Sequence, residues 1–289
     1  MWGAVLKRDL LGETREEDKF RSKEQLQEYL KSEIEKQGEN VSIRNLDVSL
    51  LKDLSNLFYS SLVGVKTLDL SGWKTSGVKN MCSMFFACKD LESLDVTGWD
   101  TSSVEDMNNM FWNCDNLESL DLSGWDTSNV KDINSMFCDC NNLKSLDLSG
   151  WNTSKVVNMG WVFRWCESLE SLDLSGWDTS NVYDMGGMFS DCDNLKSLNL
   201  SGWDISNVKD MSFMFNDCFN LKDLDLSGWK TSNVEDTSWM FFRCENLKSL
   251  DLSGFVVSSV KNMGNMLCEC PAPYEVVDHK IVKICGEQF

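Results

Sequence analysis

The sequence predicts an α/β solenoid of the leucine-rich-repeat type, and three regularities carry that expectation. A tryptophan or phenylalanine returns every 26 residues, at Trp73, Trp99, Trp125, Trp151, Trp177, Trp203, Trp229 and Phe255. A cysteine keeps the same step, at Cys88, Cys114, Cys140, Cys166, Cys192, Cys218, Cys244 and Cys270. Each period also opens on alternating apolar and polar residues, then changes to apolar residues at helical spacing. A period within roughly 20–29 residues describes coils that bury an apolar face only against their neighbours. Here it runs from Val65 to Ala272 without insertion.

The elements follow in order. Residues 14–37 are charged, with Leu26, Tyr29, Leu30 and Ile34 at helical spacing, which predicts a helical N-terminal cap over 1–45. Leu46-Asp-Val-Ser with Asp53-Leu-Ser-Asn-Leu-Phe58 reads as a degenerate first repeat over 46–64, and eight regular repeats fill 65–272. In each repeat a segment such as Leu120-Asp-Leu-Ser is one short strand with one buried face, and Gly124 then breaks it. Met107, Met110, Phe111 and Cys114 fall at i, i+3, i+4 and i+7, predicting one short helical segment per turn, α or 3₁₀. Asp106 stands as its N-cap and Asn116 as a left-handed C-cap. Stacked strands ~4.8 Å apart would make a parallel sheet roughly 40 Å long. Pro271 and Pro273 stop the pattern. Tyr274-Glu-Val-Val and Lys280-Ile-Val-Lys-Ile, joined through Asp278-His279, read as a C-terminal capping hairpin within 273–289.

Composition narrows the function. The formal net charge is −19, and residues 1–45 carry ten acidic against nine basic side chains, so the repeats hold nearly all of the excess. That surface argues against nucleic acid and anionic membranes as partners and favours a basic protein or cations; keeping a long solenoid soluble is the alternative use. No apolar run approaches the ~18 residues of a membrane span, and Met1 to Arg8 has no signal-peptide core. On those grounds the chain is expected to stay in the cytoplasm.

The repeat unit reads L-x-S-L-D-L-S-G-W-x-T-S-x-V-x-[DN]-M-x-x-M-F-x-x-C-x-N. It resembles the BspA-like leucine-rich-repeat surface proteins, whose units carry W-D-T-S-N-V-x-D-M-x-x-M-F. The match is nearly literal at Trp125 to Val130 with Asp132, and at Trp177 to Val182 with Asp184 to Phe189. Phe20-Arg-Ser-Lys-Glu-Gln-Leu is similar to that family's N-terminal unit. The resemblance implies a bacterial protein of a kind displayed on or released from the cell and acting in adhesion, and it implies no catalytic residues. It therefore sets a cell-surface or secreted location against the cytoplasmic one.

Three columns of residues have competing readings. The twelve cysteines could be bridged or could bind metal, but each column cysteine closes an apolar stripe, and His279 is the sole histidine. Reduced, buried, structural thiols are the favoured reading, with Cys82, Cys138, Cys268 and Cys285, which lie off the column, as the reactive candidates. The tryptophans form either an exposed sugar-binding strip or core; a residue required in every unit points to core. Asp69, Asp95, Asp121, Asp147, Asp173, Asp225 and Asp251, with Asn199 in the same column, should face out between inward leucines. They make either a Ser–Asp hydrogen-bonded structural row or an anionic strip for a basic partner or divalent ions.

Residues that the repeat does not dictate locate the candidate site. Trp161, Phe213 and Trp239 share one outward register, Trp112 and Phe242 another, and Trp165 a third, with Arg164 and Arg243 among them. Trp161 and Trp165, four apart, should be neighbours on one helical face. Aromatics with arginine are typical interface anchors. With one histidine, no phosphate-cradling loop and periodic carboxylates, the sequence predicts no enzyme, no metal and no cofactor. It predicts a protein-binding solenoid: an adhesin, or alternatively an intracellular scaffold or inhibitor of a basic protein. The partner is a protein, basic or exposed on a host or cell surface; neither its identity nor the oligomeric state is fixed.

Overall fold

The computed structural model describes residues 19–252, 254–271, 274–277 and 280–283. Residues 1–18, the Asp278-His279 joint and Cys285 lie outside the described residues. Helix α1, Lys23–Gln37, starts where the Ser22 hydroxyl accepts the Gln25 N–H and ends where Gly38, at φ 70°, donates its N–H to the Ile34 carbonyl. Its buried Leu26 and Leu30 pack over the first strand. No helix among the described residues is long and apolar enough to cross a membrane.

Strands β1 (Asn40–Ser42), β2 (Thr67–Asp69) and β3 (Ser93–Asp95) pair in parallel, Leu68 opposite Leu94 and Asp69 opposite Asp95. Single bridges carry this column on through Ser119 and Ser145. It then restarts as β4 (Ser171–Asp173) with β5 (Ser197–Asn199), and again as β6 (Asp223–Leu224) with β7 (Ser249–Leu250). The strand side is thus a parallel column in pieces rather than one long sheet. At the end β8 (Tyr274–Val277) and β9 (Lys280–Lys283) form the antiparallel hairpin, where the Tyr274 hydroxyl accepts the Leu252 N–H.

The second half of each coil corrects one expectation: it is not helical. Met107, Asn109, Phe111 and Asn113 donate their N–H groups to Asp132, Asn134, Met136 and Cys138 of the next coil. The amides that follow Asn109, Phe111 and Asn113, those of Met110, Trp112 and Cys114, close tight turns within the coil. A helix would keep all these bonds to itself. Left-handed residues at Asn109 (φ 55°) and Asn113 (φ 63°) let the turns follow one another, whereas Asn116 is not left-handed. A left-handed residue every fourth position reproduces the 3–4 spacing that mimics a helix.

Asp106 caps a turn instead of a helix. Its Oδ1 accepts the Asn108 N–H at 3.0 Å, and Asp53, Asn80, Asp132, Asn158, Asp184, Asp210, Asp236 and Asn262 repeat the arrangement. These same residues are bridged coil to coil without a break from Asp53 to Asn262. This rail is the continuous backbone connection of the solenoid.

The core stacks in columns behind it. Phe85, Phe111, Phe137, Phe163, Phe189, Phe215 and Phe241 are fully buried, with successive ring centroids 5.5–5.7 Å apart. The tryptophan column is buried as well, and the Trp99 indole N–H donates to the Leu70 carbonyl at 2.9 Å, which makes it packing rather than a sugar strip. Each buried ring contributes about 1.5–3 kcal/mol or more by leaving water. The thiol of Cys114 donates to the Phe85 carbonyl at 3.2 Å, and the column repeats that bond through Cys244.

A candidate aromatic and arginine interface

The third and seventh residues after each rail Asp or Asn take left-handed backbone. Most are residues that tolerate it or cost little there: Ser83, Asn109, Ser135 and Gly187 at the third place, Asn113, Asp139, Asp191 and Asp217 at the seventh. Trp161 (φ 60°), Phe213 (φ 57°) and Trp239 (φ 59°) occupy the third place, and Trp165 (φ 59°) and Arg243 (φ 54°) the seventh. A bulky side chain held there costs roughly 1–2 kcal/mol. Backbone strain of this kind gathers at functional sites.

These side chains meet. The Trp161 and Phe213 rings lie 6.2 Å apart, Phe213 stacks on Trp239 at 5.9 Å, and Trp239 meets Phe242 edge-on at 4.6 Å. All are half-buried. Trp161 and Trp165 do not share a helical face; they flank Arg164, whose guanidinium lies 4.5 Å from one ring and 3.6 Å from the other. Arg164 also faces Asp191, Nε to Oδ2 3.6 Å. Arg243 lies 4.8 Å over Phe219 and donates to Asp217 at 2.9 Å.

Trp112 stands in a different cluster. It meets Phe86 edge-on at 5.2 Å, Phe86 stacks on Tyr59 at 4.5 Å, and its own indole donates to Asp139 at 3.0 Å. Tyr59, Phe86, Phe219 and Gly187 are absent from the sequence reading, although Phe86 shares the register of Trp112 and Phe242 and was legible there.

The acidic row faces outward, with Asp69 half-buried and Asp95, Asp121, Asp147, Asp173, Asp225 and Asp251 exposed. Each carboxylate from Asp69 to Asp173, and Asp225, accepts the N–H of the residue two further on. Hydrogen bonds from Ser123, Ser149, Ser175 and Ser227 hold Asp121, Asp147, Asp173 and Asp225 below the usual carboxylate range. These carboxylates therefore make turn corners, and Asp121, Asp147, Asp173 and Asp225 stay charged. No group of metal-ligating residues occurs among the described residues.

Among the cysteines one expectation is corrected. Cys138 is buried, and burial pushes its thiol up to about 12, so it is not a reactive candidate. Burial also raises Cys82, which is half-buried, while Cys268 is exposed.

Comparison with known proteins bears on the whole repeat array. The family described as "Mycoplasma protein of unknown function, DUF285" matches residues 26–121, 84–193, 113–224 and 159–278 in overlapping stretches. No curated protein matches the chain. Among solved structures it is similar to a leucine-rich-repeat protein of T. pallidum, at 19% identity over 64% of this chain and 78% of that one, TM-score 0.43. A leucine-rich-repeat protein from Bacteroides ovatus is 19% identical over 77% of this chain and 69% of that one, TM-score 0.30. A leucine-rich cell surface protein from Faecalibacterium prausnitzii is 18% identical over 77% of this chain and 78% of that one, TM-score 0.30.

Proposed function

The chain belongs to the DUF285 family of BspA-like leucine-rich repeats, and from that premise we propose that it is a non-catalytic solenoid binding a protein partner through the aromatic and arginine face. The observation that carries this reading is the strained backbone under Trp161, Trp165, Phe213 and Trp239, at places where neighbouring coils use serine, asparagine, aspartate or glycine. Folding gains little from large rings there, and an interface gains anchors. The periodic carboxylates support a non-catalytic role, since each is held by its own turn and they do not converge on a reacting centre.

The finer reading is adhesion. Beads coated with the full chain should adhere to host or neighbouring cell surfaces, and Trp161→Ser with Trp239→Ser should cut adherence by about 10-fold or more. Serine already occupies this register at Ser83 and Ser135, so the variant keeps the fold. Unchanged adherence would remove the face from the binding surface.

A second reading, an intracellular scaffold or inhibitor of a basic protein, is favoured by the buried, unbridged thiols of the column from Cys88 to Cys244, which suit a reducing compartment. Protease treatment of intact cells separates the two: cleavage supports the surface, and protection until lysis supports the interior.

A further inference from the structure

The residue just before each rail Asp or Asn forms a column in which Val157 and Tyr183 interrupt a row of charges. Lys52 heads it; Lys79, Glu105 and Lys131 precede the interruption, and Lys209, Glu235 and Lys261 follow it. Backbone N–H bonds of 2.7–3.0 Å join every rung to the one before, from Lys79 bonding Lys52 to Lys261 bonding Glu235. The side chains therefore stand in one line, about 4.8 Å from rung to rung. Glu105 is held by Lys79 and Lys131, each at 2.7 Å, and Glu235 by Lys209 and Lys261. Between these two triplets Val157 is 37% and Tyr183 47% exposed. The flank is flat: the Asn181 and Asn207 amides fold back onto the Ser154 and Ser180 carbonyls at 2.8 and 2.7 Å, as do Asn129 and Asn233 onto Ser102 and Ser206.

From Lys79 to Lys261 the charges read the same in both directions, so the column can be its own partner. Two copies laid antiparallel in step set lysine on lysine and glutamate on glutamate. A slip of one coil makes them complementary. With Tyr183 facing Tyr183, Glu105 meets Lys261 and Lys131 meets Glu235, each twice over, and Val157 lies against the stem of Lys209. The opposite slip, with Val157 facing Val157, also pairs lysine with glutamate, but it sets Lys52 against Lys261 twice. Repulsion selects the first register. We infer that this column is an isologous interface for a second copy of the chain, antiparallel, with Tyr183 on the two-fold axis. Such symmetry requires a self-complementary patch, and exposed apolar side chains at its centre supply what ion pairs alone do not. The interface uses none of the residues of the aromatic and arginine face, and it stands without that proposal.

The test is sedimentation of the full chain over roughly 1–500 µM at about 0.15 M salt, where the repulsion between two acidic chains is screened. A reversible monomer–dimer equilibrium is expected. Glu105→Lys with Glu235→Lys gives one variant, and Lys131→Glu with Lys261→Glu the other. Each alone should self-associate about 10-fold more weakly or worse, and an equal mixture should recover the dimer, because all four contacts are then opposite in sign. Exposed ion pairs contribute little to folding, so both urea midpoints should stay close to that of the parent. Photo-oxidation should join parent copies through dityrosine, and Tyr183→Phe should abolish that link while still sedimenting as a dimer. A parent chain monomeric throughout, a mixture that stays monomeric, or a dityrosine link that survives Tyr183→Phe would overturn the assignment.

Discussion

The indole of Trp161 lies across Gly187: a β-carbon on that glycine would overlap Cε3 and Cζ3 of the ring. Because Gly187 is bare, the indole passes over one whole coil and reaches Phe213, joining what would otherwise be separate aromatics into a row. Glycine is used here for space as much as for its φ of 59°, since Ser83 and Ser135 hold the same backbone conformation in the same column.

Gly187→Ser should therefore displace the Trp161 indole without unfolding the chain. Stability should fall by less than about 1 kcal/mol, because a half-exposed ring can swing away. Bead adherence should drop and tryptophan emission should move to longer wavelength. Unaltered emission would show that the ring does not depend on the glycine.

Trp239→Asn removes a strained residue and installs the one found at Asn109 and Asn265. Relief of about 1 kcal/mol of backbone strain offsets the loss of ring contacts worth about 0.5–1.5 kcal/mol, so the urea midpoint should hardly move. Trp125→Asn, in the buried column, should cost about 3 kcal/mol or more. Equal losses in the two variants would place Trp239 in the core.

Thiol chemistry should separate the cysteines by burial. Cys268 should react with a small disulfide reagent in the native protein, and the column from Cys88 to Cys244 should react only after denaturation. Reaction needs the thiolate. Burial pushes Cys88 up to about 12 and leaves almost none of it at pH 8. Rapid labelling of Cys140 in the folded chain would contradict the packed column.

Acid should act in two opposite senses. Burial raises Asp132 and Asp184 on the rail, so their charged forms cost stability at pH 7, and protonation recovers it as pH falls through their folded values. Asp121, Asp147, Asp173 and Asp225 are held low by their serines, and Glu105, at about 2, by Lys131 and Lys79. Their contribution is present above the unfolded values near 4 and is lost as pH drops through the lower folded values. The urea midpoint should rise on mild acidification and fall in stronger acid. Asp132→Asn with Asp184→Asn, residues matched by Asn80 and Asn158 on the rail, should raise the pH 7 midpoint and flatten the first limb. A variant less stable at pH 7 would show that the charges are needed.

Much of this was legible from the 26-residue step. A position filled alike in every unit, such as Phe111 or Trp125, is buried, and a position filled unlike its column mates, such as Trp161 or Trp239, points outward. The spacing of Met107, Met110, Phe111 and Cys114 could not distinguish a helix from turns with a left-handed residue every fourth place. The discriminating signal lay in the polar partners Asn109 and Asn113, whose side chains favour that conformation. Cys138 was misread because the sequence does not show that its place beside the core is covered. Phe219 was missed because it belongs to a further column, and only the fold brings that column beneath Arg243.

The left-handed positions have a wider consequence. Their backbone is secured by amides running between coils, so the side chain they carry is nearly free of folding duty. Ser60, Ala87, Trp165, Asp191 and Arg243 already alternate within one such column. Instructions for assembly and instructions for recognition thus reside on different atoms of the same coil. A new specificity can be inscribed on this scaffold by exchanging surface letters, with the interior text left untouched.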